Sequence, residues 1–204
     1  MGTVTTYPNG QQLISSAMTV PQMNVLMQAT TCGMIGINPV DVSQVRADWP
    51  TQGQPFGIKP SQDVCFLSCV PWNTNYSGIR DRVFTNVGGQ VQENWLYNRG
   101  WRVAWVLYGP NAEDRARALR SAFFMDYFND LLSISNLYPV NDPSEVVYVP
   151  ELINAEWWQR ADFEINFYEQ VTETILDGVV TSVEVKVYDG SPNDPVADVT
   201  ITNT

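Results

Sequence analysis

The sequence predicts an α+β fold, a mostly antiparallel β-sheet with helices packed on one face. Three observations lead there. Residues 156–170 and 179–188 alternate apolar and polar positions, as strands with one wet face do. Residues 64–70 and 101–108 are apolar almost throughout, the pattern of strands buried on both faces. Residues 112–132 repeat apolar side chains at helical spacing. The resulting order is strand, hairpin, helix, strand, hairpin.

Taken from the N-terminus, residues 1–18 are polar and without a period, and read as a flexible arm. Thr19 is a good N-cap for a helix over 20–32, with Met23, Leu26, Met27 and Thr30 on one face and Gly33 as its stop. Residues 33–61 hold Pro39, Pro50, Pro55 and Pro60 among several glycines and read as loop. So long a loop often serves an interface. Val64–Val70 is a buried strand. Trp72 to Gly89, carrying Arg80, Asp81 and Arg82, reads as a turn-rich connection. Glu93–Tyr97, Asn98-Arg99-Gly100 and Trp101–Tyr108 read as a hairpin. Both faces of its second strand are apolar, so that strand is central, or one face meets another chain.

Gly109-Pro110-Asn111 ends that strand. Asn111 then caps a helix running to about Leu132, with Glu113 and Asp114 in the favourable first turn. Ala112, Ala116, Leu119, Phe123 and Tyr127 form its apolar stripe. Arg115, Arg117 and Arg120 lie mostly off it, either as a solvated basic face or as a docking surface for a neighbour's acidic segment. Asn136–Pro143 is turn, and Glu145–Val149 a short strand. In 156–170, Ala161, Phe163, Ile165 and Phe167 face one side and Asp162, Glu164, Asn166 and Tyr168 the other. This strand and 179–188 would form a hairpin through Asp177-Gly178. Asp189–Pro195 is turn-like, followed by the β-prone Val196–Ile201. The organisation expected is an arm (1–18), one domain (19–188) and a C-terminal arm or tail (189–204).

The chain has 204 residues and a mass of 22.9 kDa, enough for a core that buries roughly 70% of the unfolded surface. No run approaches the ~20 apolar residues of a membrane span, and the N-terminus lacks a secretion signal's basic start, so synthesis in the cytoplasm is expected. There is no histidine. That excludes Ser-His-Asp and Cys-His nucleophile systems and His-bearing metal sites. Cys32, Cys65 and Cys69 are too few for a four-thiolate zinc site and read as small buried hydrophobes. The net charge is −11. Residues 1–139 carry nine acids and nine bases, whereas residues 140–204 carry thirteen acids against Arg160 and Lys186 alone. An acidic field of this kind repels phosphate, so the chain does not grip nucleic acid, although DNA could slide past it.

Little here suggests chemistry. Gly88-Gly89 lacks the following Lys-Ser/Thr of a phosphate loop. Glu151 and Glu156, near Trp157 and Trp158, could be a glycosidase carboxylate pair beside a sugar-stacking platform, but so many acids produce such pairs by chance. Asp162, Glu164 and Asp194 could supply oxygens to a hard cation, without any calcium-loop spacing. No cofactor is expected. What remains is surface: nine arginines against two lysines, with seven tryptophans, is the composition of association.

Certain segments, in their order, carry a resemblance. They are Trp101-Arg102-Val103-Ala104-Trp105-Val106-Leu107-Tyr108-Gly109-Pro110, then Asp114-Arg115-Ala116, Leu137-Tyr138-Pro139-Val140 and Pro150-Glu151-Leu152-Ile153-Asn154. Trp157-Trp158-Gln159-Arg160-Ala161-Asp162-Phe163-Glu164 follows, and Asp63–Val70 and Tyr76–Arg82 fit upstream. Over roughly residues 20–188 the chain resembles the tail-terminator (neck terminator) family of tailed-bacteriophage neck proteins. The resemblance implies a tail-terminator-like fold and a virion protein without enzyme activity. It also implies a ring, as a hexamer, that caps the tail tube and joins it to head-completion or neck adaptor proteins. The alternative is another phage tail component, a tube subunit or tail-completion factor; a carbohydrate-binding or hydrolase domain is a third reading. A ring needs two different, complementary faces on each subunit. The expected inter-subunit residues are Arg115, Arg117, Arg120, Trp157, Trp158 and Arg160, with Arg115, Arg117 and Arg120 set against a neighbour's acidic last third. The expected acidic channel or partner face is Asp162, Glu164, Glu173 and Glu184.

Overall fold

The computed structural model describes residues 3–8, 11–37, 43–47, 58–73, 78–87, 90–176, 182–188 and 195–202, with the backbone alone for 90, 91, 182–188 and 195–202. The chain opens with a hairpin, β1 (Thr3–Thr6) and β2 (Gln12–Ser15), inside the segment read as an arm. Helix α1 (Val20–Met34) follows, with a capping box at its start. The Thr19 hydroxyl accepts from the Gln22 amide, and Gln22 Oε1 accepts from the Thr19 amide at 2.7 Å. The expected face holds: Met23, Met27 and Thr30 are buried, and Leu26 packs against them. The stop is Gly36 rather than Gly33. Gly36, at φ +73°, donates to the Gly33 carbonyl, and Ile37 donates to that of Cys32, a left-handed cap that glycine adopts without strain.

The two-residue β3 (Val45–Arg46) runs parallel to β4 (Val64–Trp72). The rest of the expected long loop, 38–42 and 48–57, lies outside the described residues. Next come β5 (Arg80–Val87) and β6 (Gln90–Tyr108), which correct two expectations. The segment around Arg80-Asp81-Arg82 is strand, and the hairpin lies between β5 and β6. Asn98-Arg99-Gly100 is no turn but the middle of one 19-residue strand. Gly100 has another role there. It stands opposite both Trp72 and Tyr168, whose rings stack with centroids 6.4 Å apart on the face where a side chain would otherwise stand.

The expected long helix is two helices, α2 (Ala112–Ala122) and α3 (Asp126–Ser133). Phe123 and Leu132 are both buried. At about 100° per residue, nine positions apart put them on opposite sides of one straight helix. Breaking the helix at 123–125, where Met125 is extended, lets both reach the core. The cost falls on the remaining stripe: Tyr127 is 71% exposed.

After β7 (Leu137–Pro139) and β8 (Val147–Tyr148) come β9 (Glu151–Ile153) and β10 (Glu156–Trp158), a hairpin turned by Asn154 and Ala155 at positive φ. Strand β11 (Arg160–Leu176) then pairs with β6 along all its residues. Its other edge is taken by β8, β7 and β2 in turn, so it has no room for the expected hairpin with 179–188. That segment instead forms β12 (Ser182–Tyr188) with β13 (Pro195–Thr202), a separate antiparallel pair. The Asp177-Gly178 turn and residues 189–194 lie outside the described residues.

The main sheet has the order β1-β2-β11-β6-β4-β3, with β5 also on β6. Trp101, Val103, Trp105 and Leu107 of β6 join Ala161, Phe163, Ile165 and Phe167 of β11 under α1, α2 and α3, so the helices pack on one face. Trp105 lies at the centre, 5.4 Å from the Phe123 ring and 5.2 Å from that of Phe163, with its indole N–H donating to Thr31. On the other face a smaller cluster of Val64, Phe66, Val106, Tyr108 and Trp158 is closed by Ile153 and Ile58. All three cysteines are buried thiols outside any disulfide, and burial pushes Cys69 up to about 12.

Candidate functional site

The sequence-predicted residues fall into separate places. On α2, Arg115 lies 3.3 Å from Asp63 Oδ2 and donates to Gln44. Asp63 also accepts from the backbone and side-chain amides of Asn111, and so caps α2. This explains the Tyr-Gly-Pro turn. Gly109 has φ +114°, and a Cβ there would stand 2.6 Å from the Gln62 carbonyl oxygen, so only glycine lets the 62–63 backbone approach. Arg120 donates to the Ser144 carbonyl and lies over Phe124. Arg117 pairs with Glu113 one turn back, on the solvent side. Arg115 and Arg120 thus tie neighbouring loops to α2, while Arg117 presents its charge to solvent.

At the end of β11, Arg160 makes a two-pronged contact with Asp162, both bonds 2.8 Å, and donates to Glu151 at 2.9 Å. The hydroxyl of Tyr108 donates to the same Glu151 oxygen at 2.8 Å. These bonds, Tyr108's first, hold the Glu151 carboxyl below its ordinary range, and burial with the same hydrogen bond keeps the Tyr108 phenol neutral. Such a carboxylate is a poor proton donor, and Glu156 is exposed on the neighbouring strand. The tryptophans separate: Trp158 is buried against Tyr108, while Trp157 is 70% exposed. They form no shared platform for a sugar.

The four expected acidic positions do not share a face. Asp162 and Glu164 stand on the sheet face away from the helices; Glu173 stands on the helix-side face, 3.4 Å from Arg80. Glu184 lies on β12, opposite Thr200. Asp194 lies outside the described residues, and among these no cluster of three or more Asp, Glu or Cys is placed to hold a metal. No described helix is long and apolar enough to cross a membrane.

One surface among the described residues does not follow from local sequence pattern. Beyond Gly100, β6 and β11 run on past the helices, flanked by β5 on one side and β2 with β1 on the other, as an outer blade. Its helix-side face carries a ladder of arginines, aromatics and carboxylates. Arg80 lies 5.1 Å from the ring centroid of Trp95 and 4.6 Å from that of Tyr97, and pairs with Glu173. Arg82 spans Phe84 and Trp95 and pairs with Glu93. Burial and the bond to Glu173 push Tyr97 up to about 12. A groove of about 650 Å³ opens beside Trp95 and Glu173, under Tyr7 and Pro8.

The ladder ends on a buried carboxylate, Glu169, only 1% exposed. It accepts from the Met18 amide (2.6 Å), Arg99 Nε (2.9 Å) and the Trp101 indole (2.7 Å), tying the N-terminal segment to both long strands. On the opposite face of the blade, among Val4, Ile14 and Val83, Asn94 donates to the Thr85 hydroxyl and accepts from that of Thr174. The signal for the blade was present: Arg80 and Arg82 alternate, as do Glu93, Trp95, Tyr97, Arg99 and Trp101. Charges beside glycines read as turn and hid it.

A comparison with curated proteins finds no match. A family model described as phage neck terminator protein matches residues 22–191, from the first helix past the last strand of the main sheet. The chain belongs to the phage neck terminator protein family.

Proposed function

We propose that the protein forms a closed ring, a hexamer, at the phage neck, where it terminates the tail tube and joins it to head-completion or adaptor proteins. The family is structural and non-enzymatic, and its members are virion proteins that meet other head and tail proteins. The observation that carries the finer reading is the blade. It leaves Val4, Val83, Phe84 and Val87 from 47% to 60% exposed, apolar area that a subunit in a ring would cover. In this reading residues 19–188 form the body of the subunit, and the terminal segments 1–18 and 189–204 are arms that reach neighbours. Synthesis takes place in the host cytoplasm.

The acidic last third supports a channel wall that does not hold phosphate. Glu164 is exposed, and among the described residues its carboxylate makes no ion pair, so it is the group we assign to that wall together with Glu184. Asp162 and Glu173 are instead held in ion pairs by Arg160 and Arg80. Arg117 and Trp157, the exposed members of the expected contact set, are the ones assigned to neighbours; Arg115, Arg120, Trp158 and Arg160 support them from within.

Gold-labelled antibody on purified virions tests the placement. A single band of label between head and tail is expected. Label along the whole tail would make the protein a tube subunit, and no label on disrupted particles would overturn a structural role.

A further inference from the structure

We infer that neighbouring copies join edge to edge, β1 of one beside β5 of the next, so that the outer sheet continues from subunit to subunit. This rests on the ring reading and says how the ring closes.

The first argument is that both edges are open. Among the described residues β1 pairs only with β2, and β5 only with β6, so Thr3–Thr6 on one side and the Val83–Thr85 stretch on the other border no further strand there. The second is that neither edge is guarded. Sheets protect open edges with Lys, Pro, bulges or inward charge. Thr3-Val4-Thr5-Thr6 has none of these, nor does Val83-Phe84-Thr85-Asn86-Val87, and both runs are rich in β-prone residues. The charges of β5 all lie before this run: Arg80 and Arg82 are turned onto Glu173 and Glu93 of their own subunit, and the exposed Asp81 stands at the start of the strand, so the open part of the edge is 83–87.

The third argument is geometric. The register runs level across all five strands: Val4 opposes Ile14, Ile14 opposes Thr174, Thr174 opposes Asn94, and Asn94 opposes Val83. All four pairings are antiparallel, so β1 and β5 point the same way. A second copy related by rotation about an axis along the strands therefore brings its β1 parallel to the first copy's β5, Val4 level with Val83. The two edges differ, so the contact is head-to-tail and repeats until a ring closes; β1 on β1 or β5 on β5 would end at a dimer.

Disulfide trapping in particles tests this. The native thiols Cys32, Cys65 and Cys69 are buried and do not compete. Phage are assembled with the Val4→Cys/Val83→Cys chain, and in parallel with Val4→Cys/Thr85→Cys, which reads a two-residue stagger. Mild oxidation should give a ladder of covalent multimers ending at the ring-sized species in one of them, and no ladder in any single-cysteine variant. Val4→Lys/Val83→Lys should lose the multimer while the isolated chain keeps its melting temperature, since both side chains are exposed. A ring-sized species in native mass spectra of necks released from the particles, but no disulfide ladder from either pair, would overturn the edge contact and leave the ring standing. Absence of a ring-sized species by both measurements would overturn the ring reading and this inference with it.

Discussion

The two halves of the β6–β11 pair share one register and two long strands, yet they are stabilised by different physics. In the inner half, Trp101, Val103, Trp105, Phe163, Ile165 and Phe167 are buried under the helices. Each such side chain contributes roughly 1.5–3 kcal/mol by leaving water. In the outer half, the contacts are Arg80 and Arg82 with Trp95, Tyr97, Glu93 and Glu173. Exposed ion pairs and cation–π contacts contribute about 0–1 kcal/mol each. The inner half is a core that folds the chain. The outer half is a surface held in shape but left uncovered, as the proposed ring would require.

The largest expected effect lies in the inner half. Trp105→Ala removes a fully buried indole with two ring partners, and should cost roughly 3–5 kcal/mol in urea unfolding. A loss below about 1 kcal/mol would mean that burial does not hold this half. At the boundary, Glu169→Leu should cost about 3 kcal/mol, because it leaves Arg99, the Trp101 indole and the Met18 amide without their acceptor. Adding Arg99→Leu should recover part of that loss, and strict additivity would show that the pair does not act as a unit.

In the outer half, Arg80→Ala should change stability by about 1 kcal/mol or less, since the side chain is 43% exposed. A loss as large as that of Trp105→Ala would erase the distinction between the two halves. The smallest effect is at the inner end, where Tyr108 and Arg160 hold the Glu151 carboxyl below its usual value of 4.5. A depressed carboxyl stabilises the fold above its unfolded value and loses that contribution as pH falls through the folded one. Glu151→Gln should therefore be slightly less stable than wild type at neutral pH, with the gap closing below about pH 4.5. Melting curves in which the gap widens in acid would contradict the bonding at Glu151.

The inner half was legible because burial writes a period. Ala161, Phe163, Ile165 and Phe167 announced their strand and their face, Thr19 and the Met23–Met27 spacing announced α1, and the cysteines read as buried. The outer half was not legible, although its residues alternate too. Local rules assign Asn98-Arg99-Gly100 to a turn, and only the Trp72 and Tyr168 rings explain why a glycine sits mid-strand. Arg99 reads as a turn residue until its partner Glu169, 70 positions away, is known. The helix break between Phe123 and Leu132 is likewise invisible in a stripe that continues across it.

By itself, then, the sequence determined the fold class, the places of α1, β4, β8, α2 and much of β11, the buried faces of the inner strands and, through ordered short motifs, the family. The tertiary structure alone decided which strands pair, where Arg80 and Glu173 meet, and which edges stay open. The physical reason is that a period of two specifies which face of a strand is buried but says nothing about its neighbour. Strand pairing is made by backbone groups that every residue carries alike, and its outcome depends on which edges the rest of the chain has already filled.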